Sequence, residues 1–104
     1  MTDDVHKAID EAVKKNRVIV FMKGTPSFPQ CGFSAATIAC LREVGAPFEA
    51  VNVLTDSALR EGVKAYSSWP TIPQVFIDGK FVGGCDIVKE LHAKGELARM
   101  IKGG

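Results

Sequence analysis

Cys31 lies within Gly24-Thr25-Pro26-Ser27-Phe28-Pro29-Gln30-Cys31-Gly32-Phe33-Ser34, a turn-rich stretch that follows the apolar run Val18-Ile19-Val20-Phe21-Met22 and Lys23. After it, Ala35 to Val44 has helix-forming composition, with Ile38, Leu41 and Val44 at three-residue spacing, which predicts a helix. The thiol is therefore expected in a strand-loop-helix unit, at the amino end of the helix. There the first N–H groups have no partner within the helix and the macrodipole places partial positive charge, so a thiolate is favoured. Lys23 adds a cation nearby, and the pKa of Cys31 is expected below the roughly 8.5 of a free cysteine. Three residues on, where a Cys-x-x-Cys dithiol would carry its second sulfur, stands Ser34. A disulfide on Cys31 must then be resolved by a small-molecule thiol, a second protein or a distant cysteine, because exchange proceeds by thiolate attack on a mixed disulfide. An inert cysteine at a helix cap is the plainer alternative, but the Pro, Gly and polar neighbours favour an accessible loop.

The other groups able to bind metal or react are few. Cys31, Cys40 and Cys85 are too few, and odd in number, for a disulfide scaffold in 104 residues, and a reducing compartment fits them better. They lack the paired short spacings of a zinc site, and His6 and His92 stand alone on predicted helices, where a solvated face is expected. Cys40 has apolar neighbours and is expected in the core. The length suits one domain. Hydrophobic content of 46% with a formal net charge of +1 gives no sign of a nucleic-acid or anionic-membrane partner, which would favour clustered Lys and Arg. No apolar run approaches the ~20 residues of a membrane span, and the acidic start Met1-Thr2-Asp3-Asp4 is unlike a signal or transit sequence. A bacterial cytoplasm is the expected location, or an organelle stroma or matrix if the chain is a mature form.

The elements that must position Cys31 follow from periodicity. Asp4 to Lys15, with Val5, Ile9, Ala12 and Val13 at helical spacing, reads as an amphipathic helix, and Val18 to Met22 as a strand covered on both faces. Gly45-Ala46-Pro47 stops the cysteine helix, and Phe48 to Val53 alternates as a second strand, parallel to the first through a right-handed crossover. Ser57 to Tyr66, capped by Asp56, puts Leu59, Val63 and Tyr66 on one stripe. Beyond the breaker Ser67 to Pro73, Gln74-Val75-Phe76-Ile77, Asp78-Gly79 and Lys80-Phe81-Val82 predict a hairpin, because Asp-Gly suits the positive dihedrals of a type I′ turn. Gly83-Gly84 ends it. A helix from Asp86 to Lys94, with Ile87, Val88 and Leu91 facing in, and a short one from Glu96 to Lys102 close the chain. This order predicts an α/β fold whose four-stranded mixed sheet is flanked by helices on both faces.

Met22-Lys23-Gly24-Thr25-Pro26, Pro29-Gln30-Cys31-Gly32-Phe33-Ser34, Trp69-Pro70-Thr71-Ile72-Pro73-Gln74 and Asp78-Gly79-x-x-Val82-Gly83-Gly84-Cys85-Asp86 together resemble the signatures of monothiol glutaredoxins of the Cys-Gly-Phe-Ser class, over about Ile9 to Ile101. The resemblance implies a thioredoxin-like fold with glutathione bound beside Cys31. By matching position, Lys23 and Arg60 would hold the glycine carboxylate, Ile72 would pair with the cysteine backbone of the tripeptide, and Cys85 and Asp86 would hold its γ-glutamyl end. Two cations, one anion, a strand edge and helix N–H groups complement a ligand with two carboxylates and one ammonium. Lys64, one turn from Arg60, is an alternative cation; Asp86 could also cap its helix, and Cys85 is also a candidate disulfide partner for Cys31. Phe33 and Trp69 would either shape the rim or cover core. The family places a cis proline opposite its cysteine, so Ile72-Pro73 is expected to be cis, presenting the Ile72 N–H and C=O to a peptide-like ligand.

A 2Fe-2S cluster usually needs four thiolate ligands, and this chain offers one accessible cysteine, Cys31. Two chains with two glutathione molecules supply four, which is the bridged homodimer the family is known for, with a monomer expected when no cluster is bound. Exogenous ligands make the cluster labile, which suits a carrier that hands clusters to iron-sulfur acceptor proteins. A BolA-like partner replacing one protomer is compatible with this. The alternative is a weak glutathione-dependent oxidoreductase in which Cys31 attacks a glutathionylated protein and a second glutathione recycles the mixed disulfide. Ser34 removes the dithiol route and the Thr25 to Pro29 loop could alter how glutathione sits; the resemblance implies poor classical disulfide reduction, which favours the carrier.

Overall fold

Val18–Met22, buried at every position, forms the strand β1 on which the sheet is built. A computed structural model describes residues 3–103; Met1 and Thr2, part of the acidic start noted above, and Gly104 lie outside it. Helix α1 (Asp3–Lys15) precedes β1, and α2 (Gly32–Val44), β2 (Glu49–Asn52), α3 (Ser57–Ser67), β3 (Gln74–Ile77), β4 (Lys80–Gly83), α4 (Cys85–Ala93) and α5 (Glu96–Lys102) follow. The four-stranded sheet has the order β2-β1-β3-β4. β1 runs parallel to β2 and antiparallel to β3, and β3 pairs antiparallel with β4. This is the thioredoxin-like mixed sheet that the element order and the resemblance led one to expect.

Alternation along β1 sends successive side chains to opposite faces, so one strand feeds two cores. Val18, Val20 and Met22 pack with Ile38, Leu41 and Val44 of α2, Val88 of α4, and Leu97 and Ile101 of α5. Ile19 and Phe21 pack with Ile9 and Val13 of α1, Val63 of α3, and Phe76. Helices α2, α4 and α5 thus cover one face, and α1 and α3 the other. On the second face the Tyr66 hydroxyl donates to Asp10 Oδ1 at 2.7 Å, tying α3 to α1.

Local signals are realised where they rest on backbone chemistry. Asp56 caps α3 by accepting the Leu59 N–H at 3.1 Å. Asp78 and Gly79 take φ of 52° and 80° in the β-hairpin turn, where the Arg17 guanidinium pairs with Asp78 at 2.8 Å. Other boundaries differ from expectation. α2 starts at Gly32 rather than Ala35, because Cys31 itself is the extended N-cap residue. α4 starts at Cys85 with Gly84 as its N-cap, so Asp86 lies in the first turn and is not the cap. His92 is not a plain solvated residue; its Nε2 lies 2.7 Å from Glu43 Oε2, bridging α4 to α2. Ile87, expected to face the core, is instead 36% exposed and lines a surface groove.

Candidate functional site

Lys23 ends β1 and is held through its backbone: its N–H donates to Ser34 Oγ at 3.1 Å, and its carbonyl accepts the Gln30 N–H at 2.9 Å. The next residue, Gly24, has φ of 92°, bridges to Pro29 and donates its N–H to Asn52 Oδ1 at 3.0 Å. Asn52 also accepts the Leu54 N–H at 2.9 Å, so the side chain closing β2 anchors the start of the cysteine loop. Within the loop Thr25 and Phe28 exchange backbone hydrogen bonds of 3.3 and 3.1 Å. The loop therefore carries its own hydrogen bonds. It delivers Cys31, half-buried, to the first turn of α2.

In the thiol form the sulfur closes no capping hydrogen bond, yet its surroundings favour the anion. The Ser34 backbone N–H is the main influence holding the Cys31 pKa below the ordinary thiol range, against partial burial; the Phe33 N–H, the Lys23 charge and the Ser34 hydroxyl add to it. The residue at the missing second-thiol position is thus fully buried and structural, staking β1 to α2. Cys40 behaves oppositely, its pKa pushed up by burial and then by Glu43 and Cys85. The cysteines are unpaired, and Cys40 and Cys85 are buried. Because alkylation follows the thiolate fraction, iodoacetamide should modify Cys31 at a rate that rises to its plateau at lower pH than for a free thiol. Peptide mapping should find Cys40 unmodified over the same range; preferential labelling of Cys40 would contradict this assignment.

A groove of about 460 Å³ runs beside the thiol. It brings together Lys23, Cys31, Arg60, Ile72, Cys85 and Asp86, the residues singled out in the sequence. Lys64 lines it too, so both candidate cations of α3 are present, and Phe33 and Trp69, 65% and 36% exposed, form rim rather than core. α3 and α4 cover opposite faces of the sheet, yet the cations of α3 and the carboxylate of Asp86 line the same groove. Glu61 Oε2 sits 3.3 Å from Lys64 Nζ and 3.6 Å from Arg60 Nε. The second distance is too long for a hydrogen bond, and the buried Arg60 Nε has no partner among the described residues. A carboxylate would satisfy it.

Ile72 contributes backbone. Its side chain is buried with the α1 and α3 core, and the Ile72-Pro73 bond is cis, as expected. Neither its N–H nor its C=O is used in a hydrogen bond among the described residues. The result is a short backbone segment with a free N–H and C=O at a groove beside an ionisable thiol, an arrangement able to hold an extended, peptide-like ligand with a carboxylate and bring it to the sulfur. Sequence reading missed Ile87 as a lining residue, and no periodicity signal could have placed it there, since its spacing with Val88 and Leu91 fits a core stripe. Among the described residues no grouping of three or more His, Cys, Asp or Glu could hold a metal ion, and no helix is long and apolar enough to cross a membrane.

The family model described as Glutaredoxin matches residues 18–82. The chain is 54% identical over 96 residues to the "Probable monothiol glutaredoxin 2" of Rickettsia typhi, covering 92% of this chain and 86% of that one. It is 48% identical over 105 residues to "Monothiol glutaredoxin-5, mitochondrial" of Saccharomyces cerevisiae, covering 98% and 70%. Among solved structures, a buckwheat glutaredoxin-glutathione complex superposes with a TM-score of 0.85 at 25% identity, covering 99% of this chain and 96% of that one.

Proposed function

The chain belongs to the glutaredoxin family, among the monothiol glutaredoxins, and from that premise we propose that it binds glutathione along the groove and carries a 2Fe-2S cluster as cargo. The observation that carries the reading is a single accessible, acidified thiol beside a groove lined by the cations Lys23, Arg60 and Lys64, the free backbone groups of Ile72 and the Asp86 carboxylate. Lys23 and Arg60 take the glycine carboxylate of glutathione, with Lys64 beside them. Ile72 pairs with the backbone of its cysteine, and Asp86, in the first turn of α4 with Cys85, receives its γ-glutamyl ammonium. The likeness to a glutaredoxin solved with glutathione supports this use of the fold.

The cluster follows from ligand arithmetic. Iron-sulfur clusters take thiolate ligands, and one chain contributes only Cys31, since Cys40 and Cys85 are buried. Two copies and two glutathione thiols complete the set, giving a homodimer only when the cluster is present and a cargo that leaves for acceptor proteins without unfolding anything. A BolA-like protein could take the place of one copy. The lowered Cys31 pKa also suits the alternative, a monothiol deglutathionylating enzyme. Location in a bacterial cytoplasm or an organelle interior belongs to the same reading.

Anaerobic incubation with ferrous iron, sulfide and glutathione should give a brown dimer with visible absorption. A colourless protein that briskly reduces a glutathione mixed disulfide would overturn the carrier in favour of the enzyme. Lys23→Ala should weaken glutathione binding about tenfold, the scale of one charge-assisted hydrogen bond at a half-buried site, while the fold persists. Unchanged affinity by calorimetry would remove Lys23 from the site.

A further inference from the structure

Gln74, at the start of β3, is fully buried, and its side-chain amide donates to the carbonyls of Trp69 and Thr71, both at 3.0 Å. Both N–H donors of that amide are therefore spent on the segment that ends in Ile72. Its Oε1 is buried with no partner among the described residues, an unfavourable state for an acceptor. An apolar side chain of the same volume would avoid it, so packing alone does not account for an amide here. What the amide supplies is donors to a loop whose residues Trp69, Pro70 and Thr71 are otherwise exposed. Those donors come from a strand fixed in mid-sheet, since β3 pairs with both β1 and β4.

We propose that Gln74 is a positioning residue of the glutathione groove: by clamping the Trp69 and Thr71 carbonyls it holds the free N–H and C=O of Ile72 in the register that an extended ligand needs. The inference rests on the reading that glutathione lies along Ile72, and names the residue that prepares that segment without touching the ligand. Without the clamp the two carbonyls, on exposed residues, can turn to solvent at little cost, so the fold survives. The loop is then free to move, and a ligand must order it on binding, which lowers affinity. Cys31 lies on a separate loop with its own hydrogen bonds, so its ionisation should not change. Trp69, whose ring packs on Phe81 at 5.7 Å between centroids, should report the loosening.

The test is Gln74→Met, similar in volume and without donors. Reduced glutathione should bind roughly tenfold more weakly by calorimetry, the scale of losing two hydrogen bonds that preorganise a loop. The pH profile of Cys31 alkylation should stay where it is in the wild type, while Trp69 emission shifts to the red. Unchanged affinity overturns the proposal, and so does an alkylation profile that moves together with the affinity, which is the mark of a general structural defect. Should Gln74→Met not fold, the wild type decides: binding and clamp must reinforce each other, so saturating glutathione should slow exchange of the Gln74 side-chain amide protons. Exchange that glutathione leaves unaltered overturns the coupling. A wild type that binds no glutathione removes the underlying reading and this inference with it, whereas a binding wild type and an equally tight variant removes only the inference.

Discussion

Cys31→Ser is expected to remain folded and to stay colourless under the reconstitution that is expected to turn the wild type brown. The residue is the N-cap of α2 in an extended conformation, φ of −153°, where serine is among the preferred caps. Its hydroxyl can accept from the first-turn N–H groups that favour the thiolate in the wild type, so thermal stability should hold or rise slightly. The chemistry has no such substitute, because a serine hydroxyl is not ionised near neutral pH and a cluster takes thiolates. Losing one ligand from each copy leaves only the two of glutathione, and both cluster and dimer should be lost together. The measurement is visible absorption with iron and sulfide content, alongside size-exclusion elution. A brown Cys31→Ser dimer would mean that another cysteine holds the cluster. Cys40→Ala, which removes a buried thiol with a raised pKa, should by contrast remain brown.

Gly24→Ala should be the most destabilising single-methyl change in the cysteine loop. At φ of 92° the backbone is left-handed, and an added Cβ would lie 2.6 Å from both the Gln30 amide nitrogen and the Phe28 carbonyl oxygen. Neither obstacle is a side chain that can swing away. Each belongs to the backbone hydrogen bonds that shape the loop, Gln30 to Lys23 and Thr25 to Phe28. Conformational strain and collision together are expected to cost roughly 2 to 4 kcal/mol. For a domain of this size that corresponds to a Tm lowered by ~10 to 25 °C. The alkylation profile of Cys31 should move toward that of a free thiol as the loop distorts. Gly32→Ala is the control: it stands at the first position of α2 with open space around its would-be Cβ, and should be neutral or slightly stabilising. Similar melting temperatures for the two variants would contradict the role assigned to Gly24.

Much of this site could be anticipated from the chain because its central feature is local. That Cys31 would sit at a helix amino end, and lack a second thiol in its loop, depends on residues within a few positions, as do the Asp56 cap and the Asp78-Gly79 turn. The boundaries misjudged are those set by packing. α2 runs back to Gly32 because Ser34, buried against Lys23, belongs to the helix rather than to the loop. α4 begins at Cys85 because Gly84, tucked beneath the Pro73 carbonyl, makes the N-cap. The outward face of Ile87 and the burial of Gln74 likewise leave no trace in periodicity.

The amino-acid order by itself placed one thiol at a helix amino end with no second thiol in its loop, since both features depend on residues a few positions apart. Only the tertiary structure decided that cations of α3, the free backbone groups of Ile72 and the carboxylate of α4 share one groove with that thiol. Those segments are far apart along the chain, and they meet because β1 offers its two faces to different sets of helices.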